Sequence, residues 1–242
     1  MCGRYTLAGP DPSALRARFG LDERLELRRR FNVAPGDDVA AVTTDREGAP
    51  RGDVLRWGLV PHWADSPKLG ARMINARAET LAEKPAFRDA LARRRCLVLA
   101  DGFYEWQRHD GPRSRKHAWW ITRADGEAFA FAGLWALWRD PGAPADVHPL
   151  RSCTIVTTEA NGVVAPLHDR MPVILPRGAE TAWLDPATPA AAARDLLVPL
   201  DDAATAARRV GDAVNDARHD EPVCLDTPGA EAPAPGAAPT LF

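Results

Sequence analysis

The sequence predicts an α+β fold, a single domain around a mostly antiparallel, barrel-like β-sheet with peripheral helices. Short runs rich in Val, Ile, Thr and aromatic residues recur along the chain between Gly-, Pro- and Asp-containing turns, while few segments carry a helical period. Strand-like and helix-like segments do not alternate in the rhythm of βαβ units, so a doubly wound parallel sheet is not expected. With 242 residues, 45% hydrophobic and 26% charged, the chain can bury a sizeable core within one domain.

Each element follows from its own residues. Arg4-Tyr5-Thr6-Leu7 is strand-like and leads to Pro10-Asp11-Pro12-Ser13, where Ser13 is placed to cap a short helix that turns Leu15, Phe19 and Leu21 inward. The charged run 22–30 reads as a solvated helix or loop. Asn32-Val33-Ala34-Pro35-Gly36 is a turn that feeds a strand over 39–44, and Gly48-Ala49-Pro50 is a second turn. The segment 56–63 brings Trp57, Pro61 and Trp63 into one extended loop. If 73–79 is extended, Asn75, Arg77 and Glu79 share a face. Residues 85–95 read as a helix with Pro85 near its start. The apolar run 96–100 is of buried-strand type and puts Glu105 just beyond a core strand. A loop or hairpin tip over 107–117 is followed by aromatic-rich strands at 119–122 and 129–138 and a β run at 153–158. A short helix over 161–166, a strand over 167–175, an alanine-rich helix over 185–197 and closing strands at 210–215 and 222–225 complete the domain. The Pro-, Gly- and Ala-dense segment from 227 onward reads as a disordered tail, so the domain spans 2–226.

The net charge of −2 makes no argument for a nucleic-acid partner, whose signal is a local basic face. Cys2, Cys96, Cys153 and Cys224 stand far apart with no C-x-x-C and no histidine at metal-ligand spacing, so neither a metal nor another cofactor is expected. The first residues lack a secretory pattern and no run approaches the length of a spanning helix. A cytoplasmic, monomeric protein with reduced thiols and no membrane contact is the expectation.

The chemistry starts at Cys2. If Met1 is removed, Cys2 carries two nucleophiles on one residue: its α-amine can condense with an aldehyde and its thiol can close on the imine, giving a five-membered thiazolidine. Such chemistry needs a carboxylate to orient or deprotonate an amine of reference pKa about 7.7–8.0, and Glu105 fits that role. His168 can shuttle protons as a sugar ring opens, and Asn75 can hold the substrate by a hydrogen bond. Arg4, Arg77 and Arg170 can bind phosphates as bidentate forks without reading sequence. Read singly, each has a duller role, in ion pairs, surface hydrogen bonds or the core.

Met1-Cys2-Gly3-Arg4-Tyr5, Asn32-Val33-Ala34-Pro35, Trp57-Gly58-Leu59-Val60-Pro61-His62-Trp63, Asn75-Ala76-Arg77-Ala78-Glu79-Thr80, Gly102-Phe103-Tyr104-Glu105-Trp106 and His168-Asp169-Arg170-Met171-Pro172 together resemble the SOS response-associated peptidase (SRAP) family. The resemblance covers about residues 2–226 and implies a shield for abasic sites in single-stranded DNA during the DNA damage response. In that family the initiator methionine is removed and the exposed cysteine forms a thiazolidine with the ring-opened deoxyribose. Carried over, Cys2 is the covalent nucleophile, Asn75 positions it and the sugar, Glu105 assists the amine, and His168 serves ring opening and reversal. Arg4, Arg77 and Arg170 would hold flanking phosphates, and Trp63 would belong to a surface on which bases stack. This chain departs from the family pattern at Gly36 and at His117-Ala118. An N-terminal-nucleophile peptidase acting on itself, and a non-covalent single-strand binding module, remain the alternatives at this point.

Overall fold

In a computed structural model the structure describes residues 2–9, 11–23, 25–108, 116–144 and 146–228. The chain runs through β1 (Tyr5–Leu7), α1 (Pro12–Phe19), β2 (Arg30–Val33), β3 (Asp38–Thr44), β4 (Pro50–Trp57), β5 (Asn75–Arg77), α2 (Pro85–Arg93), β6 (Arg95–Ala100) and β7 (Gly102–Arg108). It continues with β8 (Lys116–Arg123), β9 (Phe129–Trp138), β10 (Leu150–Glu159), β11 (Arg170–Pro172), β12 (Ile174–Leu175), α3 (Arg177–Leu184), α4 (Ala190–Asp195) and β13 (Thr205–Arg209). The α+β, barrel-like expectation holds. Strand β3 pairs antiparallel with β4 and β6, β6 with β9, and β9 with β10, and a parallel contact of β10 with β4 closes the ring. A second sheet has the order β13-β8-β7-β1-β2.

Alternation along β6 divides the core. Leu97 and Leu99 pack with Leu15, Phe19, Phe87, Leu91 and Trp183 beneath helices α1 to α3. Cys96, Val98 and Ala100 pack with Leu55, Trp57 and Phe131 of the barrel and with Tyr5, Phe103 and Ile121 of the second sheet. Full burial of each large apolar side chain is worth roughly 1.5–3 kcal/mol. Cys2 belongs to this second cluster, and the strand that follows it is well anchored. Tyr5 meets Trp57 and Phe131 edge-on, with ring centroids 5.3 and 5.6 Å apart. The Asp101 carboxylate accepts from the Thr6 hydroxyl and from the amides of Ala8 and Gly9. The chain start is therefore fixed by packing on one side and by a buried carboxylate on the other.

Several local expectations are corrected. Asp11, not Ser13, caps α1, accepting from the Ser13 amide at 2.8 Å, and Pro12 opens the helix. The described residues of the run 22–30 form no helix, in keeping with the loop reading, but the run is not solvated throughout: Leu25 and Leu27 are buried. Asn32 is inside β2, where its side-chain Nδ2 donates to the carbonyls of Asp216 and His219 at 3.0 and 2.7 Å. Asp220 accepts from the Phe31 and Asn32 amides, so the C-terminal segment covers the β2 edge. Residues 210–215 and 222–225 are not strands: Asp212–Asn215 and Pro222–Leu225 are short 3₁₀ turns that bury Val214 and Cys224, and β13 closes the sheet instead. Short apolar runs do not distinguish these outcomes by period. Residues 161–166 contain turns and no helix. The 185–197 helix shrinks to α4 after Pro189, and α3 lies before it. Glu105 sits within β7, in a hairpin with β8 whose tip, 109–115, lies outside the described residues, as does the tail from 229.

The loop between β4 and β5 is set by a close backbone crossing. Gly58 has φ +128°, and a Cβ there would lie 2.8 Å from the Gly70 carbonyl oxygen. Leu59 donates to the Met73 carbonyl and the Trp57 indole to that of Ile74, at 3.1 and 2.8 Å, which delivers Asn75 to the barrel wall. Gly58→Ala is expected to cost about 1–3 kcal/mol from backbone strain alone, read as a lower urea midpoint.

Candidate active site

Pairing of β1 with β7 sets the site. Tyr5 lies opposite Phe103 and Thr6 opposite Gly102, and the Tyr104 amide donates to the Arg4 carbonyl at 3.0 Å. Continued by two residues, this register brings Glu105 abreast of Gly3, beside Cys2. Cys2 is fully buried, and its thiol lies 3.6 Å from the Arg4 carbonyl oxygen, to which it donates. Burial first, and the Glu105 charge second, push the thiol far above the usual cysteine range. The Cys2 thiol is therefore protonated at neutral pH and needs a base to react as a thiolate.

Glu105 is buried, and burial pushes its carboxyl up to about 7, with the charge of Asp169 acting in the same direction. A carboxyl titrating there holds or gives up a proton at neutral pH, as a group acting both as acid and base must. Its neighbour across the sheet is Trp119.

Asn75 arrives on β5, which runs parallel to β10 with Asn75 opposite Ile155. Its Nδ2 donates to the Cys2 carbonyl at 2.7 Å. Its Oδ1 is buried with no hydrogen-bond partner among the described residues, which leaves an acceptor beside Cys2. His168 follows the 162–167 turns, and its Nδ1 accepts from the Arg170 amide at 3.0 Å. The same Nδ1 lies 2.7 Å from an Asp169 carboxylate oxygen. Cys2, Asn75 and Glu105 thus converge through contacts and charge, and the 168–169 segment joins them through the field of Asp169 on Glu105.

The arginines differ in state. Arg77 ends β5 and is exposed. Arg170 is engaged: its two Nη atoms meet both Glu79 oxygens at 2.8 and 2.9 Å, and Nη2 also donates to the Thr157 carbonyl. These hydrogen bonds hold the Glu79 carboxyl below its usual range. Arg4 donates to Asn32 Oδ1 and the Val214 carbonyl at 2.8 and 3.1 Å, and it lines an open polar cleft with Trp106, Lys116, Asp212 and Asn215. The expected common face holds for Asn75 and Arg77, two positions apart in β5, but not for Glu79, because the chain turns into a 3₁₀ segment at Ala78–Thr80. Of the two tryptophans in the β4–β5 region, Trp57 is core at 1% exposure and ends β4, whereas Trp63 is 50% exposed and presents its ring. Trp119, Arg209 and Asp169, which received no role from sequence, border the site. Trp119 and Arg209 are legible only through the pairing of β7, β8 and β13. Asp169 is signalled by its adjacency to His168.

Among the described residues no group of three or more His, Cys, Asp or Glu is arranged to hold a metal, and no helix is long and apolar enough to cross a membrane. The arrangement suits nucleophilic chemistry of a buried cysteine with a carboxyl that titrates near neutrality.

The chain is similar to known proteins over most of its length. Residues 1–217 match the sequence model of the family described as SOS response associated peptidase (SRAP). The chain is 40% identical over 231 residues to Abasic site processing protein YoqW of Bacillus subtilis, covering 94% of this chain and 100% of that one. It is 34% identical over 192 residues to Abasic site processing protein HMCES of Gallus gallus, covering 71% of this chain and 56% of that one. Among solved structures, a protein from Bacteroides thetaiotaomicron superposes with a TM-score of 0.80 at 25% identity, covering 93% of this chain and 99% of that one.

Proposed function

The chain belongs to the SOS response-associated peptidase family, and from that premise we propose that it processes abasic sites by capturing them covalently in single-stranded DNA through Cys2 after removal of Met1. The observation that carries this reading is the buried Cys2, held at its carbonyl by Asn75 and set beside a carboxyl that titrates near 7. Relatives named for abasic site processing supply the substrate class.

The steps balance without a cofactor. The sugar of an abasic site opens to an aldehyde, with His168 moving a proton at the ring oxygen. The Cys2 amine adds to the aldehyde carbon, giving a carbinolamine, and loss of water gives the imine. The thiol then adds across the C=N bond, its sulfur bonding to carbon and its proton ending on nitrogen. The sum is aldehyde plus aminothiol to thiazolidine plus one water. Glu105 takes a proton from the ammonium and returns one to the departing hydroxyl, which a carboxyl with a pKa near 7 does in both directions. Asn75 fixes the Cys2 backbone and offers Oδ1 to the new N–H.

Arg4, Arg77 and Arg170 hold phosphates of the strand and Trp63 offers a ring for stacking. Because Glu79 occupies the Arg170 fork, Glu79→Gln is expected to tighten single-strand binding by roughly two- to tenfold at low salt, measured by fluorescence anisotropy. Unchanged or weaker binding would show that Arg170 serves only the ion pair.

The test is incubation with a single-stranded oligonucleotide carrying one abasic site, followed by denaturing electrophoresis. A protein–DNA band is the expected result. Absence of the band, with cleavage of a peptide substrate independent of DNA, favours an N-terminal-cysteine peptidase. Binding that does not distinguish abasic from intact strands favours a non-covalent module.

A further inference from the structure

We propose that Trp119 and Arg209 form an anion subsite that takes a backbone phosphate next to the captured sugar. In the second sheet Glu105 lies opposite Trp119, and Trp119 opposite Arg209. Residues directly opposite in antiparallel strands project to one face, so the three side chains form a single row across β7, β8 and β13. The next row inward, Phe103, Ile121 and Ala207, packs in the same cluster as Cys2. The Glu105 row is thus the rim of that face, and Arg209 stands two strand spacings, about 10 Å, from the Glu105 backbone. Neighbouring Arg208 goes to the opposite face, where it covers the Trp120 ring at 4.7 Å.

Two donors on this row have no acceptor among the described residues. Trp119 Nε1 is buried and unpartnered, whereas the indoles of Trp57, Trp106, Trp120, Trp138 and Trp183 each donate a hydrogen bond. Arg209 Nε is likewise buried and unpartnered, and its Nη2 meets His117 Nδ1 at 2.5 Å. No carboxylate pairs with Arg209 among the described residues, in contrast to Arg18 with Glu180, Arg151 with Asp53 and Arg170 with Glu79. A buried indole donor without an acceptor is uncommon, and a half-buried guanidinium without a carboxylate partner is suited to an anionic ligand. On the face that carries Glu105, the anion that accompanies an abasic sugar is the phosphate of its own strand.

This subsite rests on the capture reading, and the two fail differently. The experiment measures binding and adduct formation of the full chain with a single-stranded oligonucleotide containing one abasic site, with each neighbouring phosphate replaced in turn by a neutral methylphosphonate. Arg209→Ala is expected to weaken binding roughly tenfold at low salt and to lower the salt slope by about one. The first-order adduct rate at saturating DNA should be unchanged. Neutralising one particular phosphate should weaken the wild type but add no further loss in Arg209→Ala. Arg209→Lys, which keeps the charge without the fork, should retain the slope at intermediate affinity, and it serves if the alanine variant does not fold. Full affinity and slope in Arg209→Ala, or losses that add at every phosphate, overturn the subsite. A wild type that forms no adduct overturns the capture reading itself.

Discussion

Cys2→Ala protein is expected to form no gel-stable adduct with an abasic oligonucleotide, while still binding the single strand. The effect is total because alanine keeps the α-amine but has no group to close on the imine. An imine in water is reversible, whereas the thiazolidine stores the aldehyde carbon in a ring. Cys2→Ser sharpens the test. It keeps a hydroxyl where the thiol lies, and in it, as in Cys2→Ala, the imine of the α-amine should be trapped by borohydride even though no stable band survives denaturation without reduction. Burial of Cys2 predicts some loss of stability in both variants, since the thiol packs in the cluster with Tyr5 and Trp57. A melting curve separates that loss from loss of chemistry. Stable cross-linking by Cys2→Ala would remove the cysteine from the mechanism.

Glu105→Gln is expected to slow adduct formation by roughly 10²–10⁴-fold, the range a positioned acid–base group supplies. It should also stabilise the fold in a pH-dependent way. The folded-state pKa of Glu105 is raised by burial from 4.5 to about 7. The native protein therefore holds a proton between pH 4.5 and 7 that the unfolded chain releases. Stability from this group is fully present below about pH 4.5, falls as pH rises through 7, and stays low above it. Glutamine has no proton to lose. The stability of Glu105→Gln relative to wild type should therefore grow between pH 4.5 and pH 8 by up to about 3 kcal/mol. Urea titrations across that range measure it, and taking the difference cancels the other carboxylates. A difference that does not change with pH would mean that Glu105 ionises as an ordinary carboxyl. A variant that is both more stable and slower is what an active site kept at the expense of stability predicts.

How much of this was legible in the sequence depends on the range of the interaction. β6, β9 and β10 are apolar or aromatic enough for local pattern to find them, and burial at Leu97, Val98 and Leu99 agrees. β13 was not found, because Thr205-Ala206-Ala207-Arg208-Arg209 has little strand propensity of its own and becomes a strand by pairing with β8. Asn32 reads locally as a turn residue, but its amide bonds to carbonyls more than 180 positions away, and those bonds place it in β2. Cys2, Asn75, Glu105 and His168 were legible as types of residue and as motifs. The convergence of Cys2, Asn75 and Glu105 was not, since it needs the β1–β7 register and the bond from Asn75 to the Cys2 carbonyl. The engagement of Arg170 by Glu79 escaped the extended reading of 73–79, because the strand ends at Arg77. Local chemistry was readable, whereas pairing across the sheet was not.

The central claim is that Cys2 becomes the chain terminus and takes the aldehyde with both of its nucleophiles. Intact mass spectrometry of the protein after reaction with a single-stranded abasic oligonucleotide tests it most directly. The account predicts a species with the mass of the chain lacking Met1 plus the oligonucleotide, less one water, with the link mapped to Cys2. An adduct that retains Met1, or one that maps elsewhere, would contradict it.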